Sequence, residues 1–313
     1  MLFSTVLAAV SGASLVFAAP SLQSRQTDDA KPAINDIQVL QYAMTLELLE
    51  NAFYSEGLKR FDAAAFRAAG YPDWVRGRFQ QIAQHEATHV EFLKGALGKD
   101  AVEACEYKFP YDDPKGFAAV SMVLEVVGQA AYTGAAPLLS DKNTLEVAAN
   151  ILSVESSQAA WVASAVLKGS AWSGPFETAL GPNGVFSLAS PFIVRCPSTN
   201  APLPVKALPA LSVQPAAPTA GSEITLSFTR PAGTTGTLYV VFLNGIVPKF
   251  APIVEKDGKY TATVPEGLQG VVYSGVTSNN TSAAASDANL LTGLTVFDFP
   301  ISSFVSNKGT IPQ

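Results

Sequence analysis

The spacing of hydrophobic and polar residues divides the chain into two parts. Up to about residue 200, apolar residues recur every three or four positions, which is typical of amphipathic helices. The pattern predicts four long helices, over about 34–58, 73–97, 114–138 and 143–168. A shorter helix is predicted between the first two, and Gly70 ends it.

Beyond Pro197 the pattern changes. Six prolines within residues 197–218 predict a linker or an extended entry strand, and after them apolar and polar residues alternate. Six or seven short strands within about 100 residues favour a small antiparallel β-sandwich of immunoglobulin-like shape. The predicted fold class is α + β in two domains, a helical bundle over 30–205 and a β-sandwich over 206–313.

One glutamate interrupts the apolar face of each long helix; these are Glu47, Glu86, Glu125 and Glu155. Burying four uncompensated carboxylates would cost more than the whole stability of a domain. No Lys or Arg lies near them on the same helix faces. Protons or metal cations must therefore neutralise them.

Each of these glutamates is followed by a second notable residue, seven positions later in two helices and three positions later in the other two. In chain order the pairs are Glu47 with Tyr54, Glu86 with His89, Glu125 with Tyr132, and Glu155 with Gln158. A Glu from each of two helices and Glu-x-x-His from each of two others is the ligand set of di-iron and di-manganese carboxylate bundles. Residues i and i+3 project to the same side of a helix, so they can bind one cation.

The four helical segments resemble a known family. DIQVLQYAMTLELLENAFYSEGL, IAQHEATHVEFLKGAL, VLEVVGQAAYTGAAPLL and ILSVESSQAAW are similar to the ferritin-like domain of secreted fungal stress-response and late sexual development proteins and of plant desiccation-related proteins. The resemblance covers about residues 34–205 and implies a ferritin-like four-helix bundle with an iron or manganese site. Its metal positions fall on Glu47, Glu86, His89, Glu125 and Glu155, and Gln158 replaces the sixth ligand, a histidine.

This replacement makes the predicted site asymmetric, because an amide oxygen is a poor ligand for a transition metal. The expected ligands of the first metal are Glu47, Glu86 and His89, and those of the second are Glu125, Glu155 and Gln158, with Glu86 or Glu155 bridging. If the site is redox-active, we expect oxidation of Fe(II) by oxygen or peroxide.

Neighbouring polar residues have other expected roles. Tyr54 and Tyr132 are core residues or hydrogen-bond partners of the ligating carboxylates. His85 points about 100° away from the next residue on the helix and is not expected to be a ligand. Glu50 lies off the apolar face and is expected to be solvated, although its position near Glu47 makes it a rival ligand.

Two other interpretations stay open. Residues 85–89, HEATH, match the H-E-x-x-H motif of zinc metalloproteases, but the chain has no third histidine. Alternatively, the bundle is a metal-free scaffold in a non-enzymatic cell-surface or stress protein. Its β-domain would then bind a cell-wall component or another partner.

The N-terminal sequence predicts secretion. Residues 1–18 are apolar and end at small residues, as a signal peptide does, and an uncleaved anchor is the alternative. Cys105 and Cys196 are the only cysteines and are expected to form a disulfide in an oxidising compartment. Asn279 and Asn280 each begin a glycosylation sequon. We therefore predict an extracellular or cell-wall protein.

Charge narrows the range of partners. The net charge of −6 and the absence of a basic cluster argue against binding to nucleic acid. Residues 117–139 are apolar and long enough to span a membrane, but Glu125 and other polar residues inside the segment favour a buried helix.

Overall fold

The computed structural model describes residues 34–281 and 285–302. In this part of the chain the α-helices are α1 (Asp36–Arg60), α2 (Ala63–Ala68), α3 (Asp73–Leu97), α4 (Pro114–Ala135), α5 (Lys142–Trp161) and α6 (Pro182–Ala189). A π-helical turn, Val162–Val166, extends α5. The four long helices therefore lie where the periodicity predicts them.

Polar caps set the first residues of three long helices. Asn35 and Gln38 form a capping box at the start of α1. The side chains of Asp113 and Asp141 accept backbone N–H groups from the first turns of α4 and α5. These bonds satisfy donors that have no partner within the helix, which fixes where each helix begins.

One end of the bundle is filled with aromatic rings. Phe53 of α1 stacks on Phe117 of α4 with ring centroids 4.8 Å apart. Phe79 of α3 meets Phe117 edge to face at 5.1 Å. All three side chains are fully buried, so large rings pack three of the four helices together at this end.

The C-terminal part is a β-sandwich. One sheet has the order β3-β4-β8-β7 and the other β10-β9-β5-β6, and every pairing is antiparallel. The strands are β3 (Ser212–Gln214), β4 (Glu223–Ser227), β5 (Tyr239–Leu243), β6 (Lys249–Pro252), β7 (Val254–Lys256), β8 (Lys259–Thr263), β9 (Gly270–Thr277) and β10 (Thr295–Phe299). The predicted α + β class, with antiparallel sheets after the helices, is confirmed.

The second sheet packs on the helices with its outer face. Val241 and Tyr273 of this sheet share an apolar cluster with Val127 and Ala131 of α4. The Tyr273 hydroxyl donates a hydrogen bond to the carbonyl of Val126 at 2.7 Å. The apolar core is therefore continuous across residue 205, and the predicted domain boundary there stays a prediction.

The predicted disulfide is present. Cys105 and Cys196 are bonded, and beside them β1 (Glu106–Tyr107) pairs with β2 (Ile193–Arg195). The bond joins the connection between α3 and α4 to the segment that follows α6. Asn279 and Asn280 are exposed after β9, and their glycosylation stays a prediction.

Two further expectations concern membranes and secretion. Among the described residues, one helix, Pro114–Leu138, is long and apolar enough to cross a membrane, and 61% of its most apolar window is buried in the protein. Such burial is typical of a core helix, as α4 is in this bundle. The signal peptide predicted at 1–18 lies outside the described residues.

Candidate metal centre

The first half of the candidate site lies between α1 and α3. His89 Nδ1 is 3.1 Å from Glu47 Oε2 and 3.3 Å from Glu86 Oε2. Both carboxylates are 1% exposed, whereas the imidazole is partly buried. The three residues stand on the facing sides of two adjacent helices, and helical spacing predicts that Glu86 and His89 share one side of α3.

Glu155 of α5 completes this group. Its Oε1 is 3.7 Å from His89 Nδ1, and ligand atoms of Glu47, Glu86, His89 and Glu155 all lie within 4.8 Å of one another. The Glu155 side chain is 0% exposed, and neither of its oxygens has a hydrogen-bond partner within the described part of the chain. A buried carboxylate without a hydrogen-bond partner is costly, so the arrangement is compatible with a bound cation.

The second half of the site contains Glu125 of α4 and Gln158 of α5. Gln158 Nε2 donates to Glu86 Oε1 at 2.7 Å and to Glu125 Oε2 at 3.0 Å. The amide nitrogen therefore lies between the two carboxylates, where it cannot ligate a metal because it has no lone pair to offer. Metal ligation by Glu125 and Gln158 stays a prediction.

His85 fixes the orientation of this amide. The exposed His85 places Nδ1 3.0 Å from Gln158 Oε1. With the amide oxygen engaged by His85, the NH₂ group faces Glu86 and Glu125. His85 is therefore not incidental to the site, and the helical spacing alone did not indicate this contact because it joins two helices.

The two tyrosines connect the halves crosswise. Tyr132 of α4 donates its hydroxyl hydrogen to Glu47 Oε1 of α1 at 2.5 Å. Tyr54 of α1 donates to Glu125 of α4 and also contacts the Ser121 hydroxyl. Each tyrosine thus orients the glutamate of the opposite helix, in agreement with the expected hydrogen-bonding role.

The expectation that Glu50 is solvated was wrong. Glu50 is 5% exposed. A Cβ at Gly128 of α4 would lie 2.9 Å from Glu50 Oε1 and 2.6 Å from Glu155 Oε2. The absence of a side chain at Gly128 makes room for both carboxylates, and this space is a property of α4 that the α1 sequence does not reveal.

Burial and mutual repulsion favour the protonated form of four carboxyls at the site, those of Glu50, Glu86, Glu125 and Glu155. Burial, followed by the negative charges of neighbouring glutamates, raises the pKa of Glu50, Glu125 and Glu155 well above the ordinary value. Burial also raises the pKa of Glu86, to about 7, although the hydrogen bond with His89 partly opposes it. Without a cation, the site therefore retains protons at neutral pH.

His89 is held in its charged form. Burial opposes the charge, but hydrogen bonds with Glu47 and Glu86 and their negative charges outweigh it and raise the His89 pKa to about 10. One imidazolium cannot balance five buried glutamates, so a further positive charge is required when they ionise.

The geometry does not favour the zinc-protease interpretation of HEATH. Among the described residues, the group of potential metal ligands includes His89 and Glu86 but not His85. His85 instead contacts Gln158 from the exposed side of α3. The protease motif requires both histidines to bind one zinc ion, and His85 and His89 do not converge in this way.

Comparison with known proteins agrees with the bundle geometry. Residues 35–168 match the family model described as a ferritin-like domain. This segment is a ferritin-like domain. The match confirms the resemblance that the four helical segments indicate, and it spans all four helices that carry the buried glutamates.

A curated fungal protein is also similar to the chain. Protein rds1 of Schizosaccharomyces pombe is 28% identical over 194 residues, which is 59% of this chain and 47% of the relative. The chain therefore spans about half the length of this relative. The 194 aligned residues are more than the ferritin-like domain contains, since that domain covers residues 35–168.

Proposed function

We propose that the ferritin-like domain binds one transition-metal ion, iron or manganese, and catalyses the one-electron oxidation of Fe(II) to Fe(III), with oxygen or peroxide as the electron acceptor. The observation that carries the proposal is the Glu155 carboxylate, fully buried and without a hydrogen-bond partner among the described residues. It lies beside the imidazole of His89 and the carboxylates of Glu47 and Glu86. Three carboxylates and one imidazole form a donor set suited to iron and manganese.

The residues around the ion would have distinct roles. Glu47, Glu86, His89 and Glu155 would hold the ion, and bound iron or manganese would supply one-electron chemistry with oxygen or peroxide. The Tyr132 hydroxyl holds the Glu47 carboxylate in place. The near-complete burial of the three glutamates keeps bulk water away from the ligands.

The amide of Gln158 supports a stoichiometry of one ion. It donates hydrogen bonds to Glu86 and Glu125, so it satisfies the carboxylates that would otherwise share a second cation. At Glu125, the Gln158 hydrogen bond and a bound proton would then take the place of the second cation. This differs from the two-metal arrangement that the family resemblance implies.

We further propose that the protein acts outside the cell, in protection from oxidative or desiccation stress during development. The disulfide between Cys105 and Cys196 supports an oxidising compartment. The predicted signal peptide and glycosylation sequons agree with this location. A cell-wall component as the partner of the β-sandwich stays a prediction.

Metal analysis of the secreted protein tests the centre. We expect about one iron or manganese per chain by elemental mass spectrometry after reconstitution, because four convergent ligands bind these ions firmly. Glu155→Gln and His89→Ala should each lower metal affinity by at least about 100-fold, since loss of a ligand exceeds the ~10–100-fold cost of losing an outer partner. Glu91→Gln, at an exposed position of α3, is the matched control and should retain the metal. Absence of metal from the reconstituted wild type would overturn the proposal.

The two tyrosines provide a matched pair of variants. Tyr132 hydrogen-bonds a proposed ligand, Glu47, whereas Tyr54 hydrogen-bonds Glu125, which lies outside the group of four. We expect Tyr132→Phe to weaken metal binding by about 10–100-fold. Tyr54→Phe should weaken it much less. Equal losses in a metal titration would contradict the assignment of the ion to the His89 half of the site.

A further inference from the structure

An apolar cavity occupies the end of the bundle opposite the aromatic core. Its volume is about 200 Å³, and small residues of α4 and α5, including Ala131, Ala135 and Ala148, form part of its wall. At the other end of the same helices, Phe53 and Phe117 fill the interior. The cavity therefore results from the small side chains that the sequence places at this end.

Such a cavity suits an apolar ligand. Cavities of about 150 Å³ that are lined by aliphatic and aromatic side chains stay free of water and bind molecules such as benzene. This one is larger and its wall is almost entirely apolar, so water would find few hydrogen-bond partners along it. Filling it with hydrocarbon would restore the contacts that an empty space forfeits.

The cavity is long, and its two ends differ. It follows α1 from Val39 to Glu50, a distance of about 16 Å at 1.5 Å per residue. Polar groups are present at the inner end, where Glu50 lies. At the outer end is Asn143, an exposed residue at the start of α5. The exposed Asn143 marks an accessible end, the mouth of the cavity. A volume of about 200 Å³ spread over this length admits a linear molecule more readily than a compact one.

We infer that this cavity binds one unbranched alkyl chain, with the polar head at the mouth beside Asn143 and the chain directed towards Glu50. The apolar wall excludes a polar chain because its hydrogen bonds with water would be lost without replacement. The inference goes beyond the proposed metal function, because the apolar side chains of the cavity wall would bind the alkyl chain without a metal ion.

Binding of dodecanoic acid and dodecanol to the metal-free protein tests this inference. Native mass spectrometry and calorimetry should show one molecule of either compound per chain, whereas dodecanedioic acid, which carries a second charged end, should bind at least ten-fold more weakly. Ala148→Trp, in the cavity wall, should reduce binding by at least ten-fold. Ala149→Trp, at the exposed neighbouring position, should leave it unchanged.

A second wall variant and a metal measurement keep the result interpretable. Ala96→Trp enters the cavity from α3 and starts from an exposed position, so it tests the same space if Ala148→Trp fails to fold. Failure of the wild type to bind either compound, or unchanged binding in both folded wall variants, would overturn the inference. Metal content is measured separately on the wild type and on each variant. Failure of the metal proposal would show as a wild-type protein that takes up no metal but still binds the alkyl compounds.

Discussion

The metal-free protein should lose stability as pH rises from 5 to 8. The pKa of Glu86 in the folded protein is raised to about 7, mainly by burial, so this carboxyl stabilises the fold fully below its unfolded pKa. The contribution is lost as pH rises through about 7, because an ionised Glu86 is then buried. The pKa of His89 is raised to about 10. The stability that the charged imidazole provides is therefore also lost as pH rises from the ordinary histidine pKa towards 10. Ionisation of Glu86 alone should lower the free energy of unfolding by on the order of 3 kcal/mol, at 1.36 kcal/mol per pKa unit.

Urea unfolding at pH 5 and pH 8 in the presence of a chelator measures this loss. Glu86→Gln removes one of the titrating groups and should make the loss between the two pH values smaller, by on the order of 3 kcal/mol, whereas Glu91→Gln on the exposed side of α3 should leave it unchanged. Addition of iron or manganese should reverse the trend, because the ion binds the deprotonated ligands. Equal stability of the chelated wild type at both pH values would show that the glutamates are not neutralised by protons.

Replacing Gln158 with histidine should raise the metal stoichiometry from one ion to two. In the wild-type protein the Gln158 amide donates to Glu86 and Glu125, which occupies these carboxylates. An imidazole at this position would offer a nitrogen lone pair and leave both carboxylates available to a second cation. Gln158→His would then complete the Glu-x-x-His pair in each half of the bundle.

The measurement is the number of ions per chain after reconstitution with Fe(II) or Mn(II) and removal of excess metal. Gln84→His adds a histidine on the exposed side of α3 and controls for adventitious binding, so it should keep a stoichiometry of one. A folded Gln158→His protein that still holds one ion would contradict the role assigned to the amide. In that case the second position must be closed by another feature, such as the Tyr54 hydrogen bond to Glu125.

The β-sandwich shows which features of the fold the sequence pattern predicts and which it does not. β4 alternates between exposed and buried residues, which is the pattern expected of a strand with one solvent-facing side. In β5, by contrast, four consecutive residues from Val240 are buried, because the outer face of its sheet packs on α4. The alternation predicts strands correctly, but it does not reveal that helices cover one of the sheets.

Local periodicity determined the helices and the glutamates that interrupt their apolar faces, because the residues of one helix face are fixed by their spacing along the chain. It also determined the pairing of Glu86 with His89, which are one turn apart. Only the tertiary structure decided the burial of Glu50, which depends on the space left by Gly128 on another helix.

The crosswise tyrosine bonds and the contact of His85 with Gln158 likewise join different helices. Helix spacing sets the direction of a side chain relative to its own axis, whereas the partner it meets depends on how separate helices pack. The sequence by itself therefore determined which polar residues lie on the apolar faces of the four helices, but it assigned Glu155 to the second half of the site. The packing of the four helices placed the Glu155 carboxylate beside His89 without a hydrogen-bond partner among the described residues, and it placed the Gln158 amide between Glu86 and Glu125.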